Sequence, residues 1–135
     1  MRLNARTLAA LATLLTAVPA SASTLAPYEA NYDLTLVTAS NTVGPRAMDG
    51  VLEQRVEHTC GGWETRSRVL VTAVFRDDVS STNERIFTSW ESNDGTQYRF
   101  AVQTSKNGIL VESVKGMANV GKKGGEAVYE ATVEN

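Results

Sequence analysis

The chain has 135 residues, 42% of them hydrophobic, with 13 Lys and Arg against 15 Asp and Glu. This length fits one domain or part of one. With a formal net charge of -2, the chain lacks the excess of Lys and Arg that nucleic-acid-binding proteins have, so no nucleic-acid partner is expected. Composition alone points to no chemistry, and the functional signals lie in the order of the residues.

The N-terminus has the layout of a secretory signal peptide. Arg2 and Arg6 give a positive start, an uncharged run rich in Ala and Leu follows, and an Ala-x-Ala cleavage site ends at Ala22. The apolar run is shorter than the roughly 20 residues that cross a bilayer, which favours a cleaved signal over an anchor. We therefore expect residues 1–22 to be a signal peptide and residues 23–135 to be the mature domain.

Export sets the expected compartment and limits the expected partners. The alanine-rich signal is typical of bacterial export, so the sequence predicts a periplasmic protein in a disulfide-permissive environment. Cleavage after Ala22 would leave 11 basic and 15 acidic side chains, which argues against electrostatic binding to anionic lipid. No second long apolar segment follows, so we expect a protein that does not span a membrane.

The mature sequence favours β-strands. From Thr24 onward it has 14 Val, 12 Thr and 2 Ile against 6 Leu, a bias toward pleated, half-buried surfaces. Period-two alternation predicts a first strand over residues 28–36 and another over residues 63–71. Further strands are expected at residues 51–59 and 128–134.

Two turn signals predict a three-stranded antiparallel meander over residues 84–115. Asn93-Asp94-Gly95 separates strands at residues 85–92 and 96–104, and Asn107-Gly108 separates the second of these from residues 109–115.

About eight strands with short connections predict an all-β fold, an antiparallel curved sheet that rolls toward a barrel. Loops are expected at residues 40–45, 77–83 and 121–125, and Gly50 and Gly116 are candidate bends.

Cys60 and His58 are the chain's one cysteine and one histidine, two residues apart on what reads as a single strand. A thiol hydrolase would need the imidazole in contact with the thiol and a third orienting group. Same-face neighbours on a strand lie about 6.6 Å apart at their Cα atoms and run parallel. Zinc needs three or four protein ligands, and the chain has no other Cys or His to supply them. The sequence therefore predicts no catalytic residue, no metal site and no cofactor.

An unpaired cysteine in an exported protein indicates a partner elsewhere, either on another chain or on a stretch outside this sequence. We therefore interpret Cys60 as half of a disulfide whose partner lies outside this chain.

Four aromatic residues are the candidate ligand or partner surface: Trp63, Trp90, Tyr98 and Phe100. Aromatic rings offer apolar faces with a polar handle to a sugar or peptide. The alternative interpretation is that these alternating aromatic residues form the core.

Several short motifs occur in a characteristic order. They are Tyr28-x-x-x-Tyr32-x-Leu34, Cys60-Gly-Gly-Trp63, Trp90-Glu-Ser-Asn-Asp-Gly95, Tyr98-Arg-Phe100 and Gly116-x-Ala118. From about Ala26 onward the chain resembles the EipB family of periplasmic cell-envelope-integrity proteins, long catalogued as a domain of unknown function.

The resemblance implies a spiral-like, incompletely closed β-barrel and a disulfide between Cys60 and a second cysteine near the far end of a longer protein. The chain therefore looks like the N-terminal half of a family member. We expect a non-enzymatic periplasmic protein that supports cell-envelope integrity by binding or scaffolding an envelope protein or peptide. The alternative is a carrier of a lipid or other hydrophobic ligand in a β-barrel cavity.

Overall fold

The structure is a computed structural model that describes residues 25–39 and 44–133. The predicted signal peptide and most of the loop expected at residues 40–45 lie outside these ranges. The described residues form seven strands: β1 Tyr28–Thr35, β2 Ala47–His58, β3 Gly62–Val74, β4 Ser80–Ser92, β5 Gln97–Lys106, β6 Ile109–Gly121 and β7 Gly124–Val133.

The seven strands form one antiparallel meander in which each strand pairs with the next in chain order. The sheet is not closed, since β1 and β7 each have a single neighbour in it. The predicted all-β fold, an antiparallel curved sheet, is confirmed, as is the meander over residues 84–115. The described residues hold seven strands where the sequence predicted about eight.

The two predicted hairpin turns differ in geometry. Asn107 and Gly108 have φ values of 52° and 80°, which is the two-residue turn that matches the twist of a hairpin. In the other loop Gly95 has a φ of 66°, and its N–H donates to the Ser92 carbonyl at 2.9 Å. Asp94 does not adopt a positive φ, so this connection is a four-residue loop between β4 and β5.

The later strands are longer than the sequence predicted. β6 continues to Gly121 and β7 begins at Gly124, which reduces the loop expected at residues 121–125 to a two-residue turn. The loop expected at residues 77–83 is also shorter, because β4 begins at Ser80.

The register gives the sheet two chemically different faces, because directly opposed residues of an antiparallel pair point to the same side. The apolar face includes Leu52, Val56, Trp63, Val69, Ala73, Phe87, Tyr98, Phe100, Val102 and Val114, and it also holds the polar residues Arg85, Ser89 and Glu91. The charged face includes Glu53, Arg55, Glu57, Glu64, Arg66, Arg68, Glu84, Trp90 and Arg99, and it also holds the apolar residues Val51, Leu70 and Ile86.

Burial is concentrated on the apolar face but is shallow. Among the described residues, the buried hydrophobic side chains are Val56, Ala73 and Val102, all three on that face. The described residues form one sheet, so no second layer within them covers the rest of the apolar face. This part of the chain is therefore a single β layer whose apolar side is only half-buried.

Gly116 provides space for an aromatic ring rather than a bend. It lies directly opposite Phe100, and a Cβ atom at Gly116 would come within 2.6 Å of the Phe100 Cε1 atom. Pairing is regular at this position, and the irregularity between β5 and β6 lies between Thr104 and Ser105. The glycine thus lets Phe100 lie against the neighbouring strand, an arrangement known to stabilise glycine in sheets.

The loop between β4 and β5 is held by a network centred on the Asp94 carboxylate. Its Oδ1 atom accepts hydrogen bonds from Ser92 Oγ at 2.6 Å, Thr96 Oγ1 at 2.7 Å and the Thr96 N–H at 3.0 Å. The Ser92 bond, followed by the Thr96 bonds, lowers the pKa of Asp94 from 3.8 to about 2.

Gly116→Ala should destabilise the sheet by about 1–3 kcal/mol, because the added methyl group overlaps the Phe100 ring. Urea unfolding followed by circular dichroism measures this change in the free energy of unfolding. Gly121→Ala is the matched control, since its Cβ atom would make only an ordinary contact of 3.5 Å with the Gly124 carbonyl. Equal effects of the two substitutions would contradict the role assigned to Gly116.

The lowered pKa of Asp94 predicts an acid-dependent loss of stability. A carboxylate with a depressed folded-state pKa stabilises the fold above its unfolded pKa and loses that contribution as pH falls through its folded pKa. Between about pH 4 and pH 2 the wild-type protein should therefore lose more stability than Asp94→Asn. Urea midpoints at the two pH values measure the difference, and parallel losses would show that Asp94 is not responsible.

Candidate functional site

The structure separates the four aromatic residues of the predicted surface. Trp63 is opposite Glu91, which is opposite Tyr98, and Phe100 follows on the same side of β5, so these three aromatic residues share the apolar face. Trp90 is opposite Glu64 and Arg99 and lies on the charged face. The four residues therefore do not form one platform.

Of the four predicted aromatic residues, the three that lie on the apolar face fall into two groups. The rings of Tyr98 and Phe100 are stacked with centroids 6.1 Å apart and an interplanar angle of 30°. Trp63 packs against His58 with ring centroids 4.6 Å apart. The residues directly opposite these rings on the neighbouring strands are His58, Glu91, Ser89, Gly116 and Ala118.

Cys60 lies in a turn rather than on a strand with His58, which corrects the interpretation from sequence. β2 ends at His58, and the Thr59 N–H donates to the Gly62 carbonyl at 2.8 Å to close the turn. Two consecutive glycines follow Cys60, so the chain reverses there. The Cys60 thiol is exposed and free.

The chain forms no internal disulfide, because Cys60 is its one cysteine. A bond to a cysteine outside the chain stays a prediction.

Asn93 joins the Cys60 turn to the loop between β4 and β5. Its Nδ2 atom donates to the Cys60 carbonyl at 3.3 Å and its backbone N–H donates to the Gly61 carbonyl at 3.3 Å. Its Oδ1 atom lies 2.8 Å from His58 Nε2. The imidazole is therefore paired with an amide and tilted against the Trp63 ring, and no hydrogen bond joins it to the Cys60 thiol within the described residues.

The charged face carries a cleft that sequence reasoning missed. Its open volume is about 470 Å³. Its lining includes Arg55, Glu57, Glu64, Arg66, Trp90 and Arg99, and also Thr65, Ser89 and Phe100, whose side chains the register places on the other face. The guanidinium carbon of Arg99 lies 5.1 Å from the Trp90 ring centroid, within cation–π range. Charged residues alternate along residues 53–57 and 64–68, but only the pairing register brings the two segments together.

Neither a metal centre nor a membrane-spanning helix is found in the described ranges. Residues 25–39 and 44–133 hold no group of three or more His, Cys, Asp or Glu side chains placed to share a metal ion. Within the same ranges, no helix has the length and hydropathy that a membrane span requires.

Comparison with known proteins places this architecture in a family. The family model described as EipB-like matches residues 19–135. The Cell envelope integrity protein EipB of Brucella abortus (strain 2308) is 30% identical to the chain over 102 residues, which are 75% of this chain and 36% of that protein. The chain thus spans little more than a third of the length of this curated relative.

A solved structure supports the fold. The crystal structure of a beta-barrel-like protein of the domain of unknown function DUF1849, from Brucella abortus, matches with a TM-score of 0.67 and 25% identity. The match covers 78% of this chain and 44% of that one. The unclosed meander is therefore similar to part of a barrel-like protein, and the chain belongs to the EipB-like family.

Proposed function

We propose that this chain is a non-enzymatic periplasmic protein that supports cell-envelope integrity by binding a partner protein or peptide on its apolar face. The observation that carries the proposal is the single β layer, whose apolar side is only half-buried within the described residues. The printed name of the Brucella abortus relative supports the envelope role.

The apolar face has the properties of a binding surface. Contiguous apolar surface on a soluble protein is unfavourable in water, so it marks a place where another surface packs. Trp63 and Phe100 add aromatic groups, which contribute large contact areas at interfaces. Ring contacts restrict both side chains, with His58 tilted against Trp63 and Tyr98 stacked on Phe100, and this restriction lowers the entropy lost on binding.

Among the described strands, none pairs with the outer edge of β7, and this edge offers a second means of attachment. All ten residues of Gly124–Val133 are exposed, including Val128 at 53% and Tyr129 at 74%. An unpaired edge presents N–H and C=O groups that an extended peptide can pair with as an added strand. We infer that a partner peptide contacts both this edge and the adjoining apolar face.

Two further elements of the proposal come from the sequence and from side-chain pairing. Residues 1–22 direct export and are removed after Ala22. His58 is bound to Asn93 and packed on Trp63, so it is not positioned to activate the Cys60 thiol. The non-enzymatic role is supported by this geometry.

The alternative function is transport of a lipid or other hydrophobic ligand, which the barrel-like solved structure and the apolar face both favour. Native mass spectrometry of protein purified from periplasm separates the two functions. A carrier retains a small apolar molecule of defined mass, whereas a binding or scaffolding protein gives the mass of the polypeptide alone.

Trp63→Ala and Phe100→Ala should weaken the envelope function, because each removes an aromatic group from the apolar face. The measurement is survival in detergent of a strain that lacks the gene and expresses each variant. Ile86→Ala is the control, since it removes an apolar side chain from the opposite face at a position outside the charged cleft.

Immunoblotting checks that the compared strains hold equal amounts of protein. If Phe100→Ala does not accumulate, Phe100→Leu replaces it, because leucine removes the aromatic ring and keeps most of the side-chain volume. Full rescue by both apolar-face variants at normal abundance would contradict the proposal.

A further inference from the structure

We propose that the cleft on the charged face binds a small zwitterion whose ammonium and carboxylate groups lie about one dipeptide length apart. Glu57 and Glu64 would bind the ammonium group, and Arg55 and Arg66 would bind the carboxylate. The proposal concerns the face opposite the apolar one, so it does not depend on the function proposed above.

The cleft places like charges directly opposite one another in two adjacent rows. Arg55 is opposite Arg66, and Glu57 is opposite Glu64. Directly opposed residues have Cβ atoms about 4.5–5.5 Å apart, and like charges there destabilise a sheet. The sheet would be more stable if residues of opposite charge faced each other across the two strands. A local loss of stability of this kind is found at functional sites.

Among the charged side chains of the cleft, Glu64, Arg66 and Arg99 have no ion-pair partner among the described residues. Arg55 Nη2 donates to Glu57 Oε1 at 2.5 Å. Neither Glu64 nor Arg66 makes an ion pair or side-chain hydrogen bond with any described residue. A carboxylate and a guanidinium, two residues apart on β3, are therefore available to a ligand.

The next arginine along β3 shows that complete pairing is attainable on this strand. Arg68 Nε donates to Glu84 Oε1 at 2.6 Å, and Arg68 Nη1 donates to Glu53 Oε2 at 3.2 Å. These two bonds, the Glu84 bond first, raise the pKa of Arg68 above its ordinary value. Arg66 differs because its direct neighbour on β2 is Arg55.

The spacing of the two charged rows matches a dipeptide. Residues i and i+2 of a strand are about 6.6–6.8 Å apart, and two extended residues span about 6.6–7.2 Å. Guanidinium groups bind carboxylates through paired, charge-assisted hydrogen bonds. The Trp90 ring, with Arg99 over it, forms an apolar wall beside Glu64.

The indole N–H groups of the two tryptophans provide a reporter and its control in one NMR spectrum. Trp90 lines the cleft, and Trp63 lies on the opposite face. The purified protein is titrated with dialanine, with N-acetyl-dialanine and with dialanine amide. The two capped probes each remove one charge of the zwitterion and keep the rest of the molecule.

Dialanine should shift the Trp90 resonance saturably and leave the Trp63 resonance in place. Each capped probe should need about tenfold more ligand for the same shift, because it loses one charge-assisted contact. No saturable shift of Trp90 would overturn the proposal. Equal binding of dialanine and N-acetyl-dialanine would also overturn it, because the cleft would then be a site for anions only.

Substitutions test the two rows separately. Glu64→Gln and Arg66→Gln should each weaken dialanine binding about tenfold, whereas Arg85→Gln, on the other face, should not change it. Arg66→Gln should also unfold at an equal or higher urea concentration, because it removes the repulsion with Arg55. A fall in its unfolding midpoint would contradict the assigned like-charge cost.

Discussion

The register of the seven-stranded meander is the constraint on which the rest of the structure depends. Side chains alternate between the two sides of a strand, so a slip of one residue would exchange the apolar and charged faces. Short connections help to fix the register, most clearly the loop in which Asp94 binds Ser92 and Thr96. In the β5–β6 hairpin, the irregularity between Thr104 and Ser105 shifts the pairing by one residue beyond the Asn107-Gly108 turn. The positions of Trp63 and Trp90 on opposite faces both follow from the register.

A single β layer of this kind has different uses for its two sides. The apolar side has little buried surface within the described residues, so packing against another surface would add to its stability. The side chains of the charged side can be hydrated without a partner, yet they include like charges in direct opposition. The EipB-like family membership is consistent with the first use, and the cleft at Arg66 suggests a second one that the sequence motifs did not indicate.

Local patterns in the sequence predicted the fold well. Alternation around Tyr28 and Tyr32 predicted β1, and Asn107-Gly108 predicted the hairpin between β5 and β6. The site was less predictable, because the number of residues in the loop after β4 decides whether Trp90 lies on the same face as Tyr98 and Phe100. The reversal at Cys60 was not predicted, because the sequence around it reads as one continuous strand. The charged cleft required the register between β2 and β3.

Thiol labelling in intact cells tests most directly whether the apolar face is the surface covered by a partner. Phe87 and Ile86 are adjacent, half-buried residues of β4 that point to the apolar and charged faces, respectively. In a Cys60→Ser background, Phe87→Cys should react with maleimide in the purified protein but be protected in intact cells, whereas Ile86→Cys should react equally in both. Equal reactivity of Phe87→Cys in the cell and in the purified protein would contradict a binding role for the apolar face.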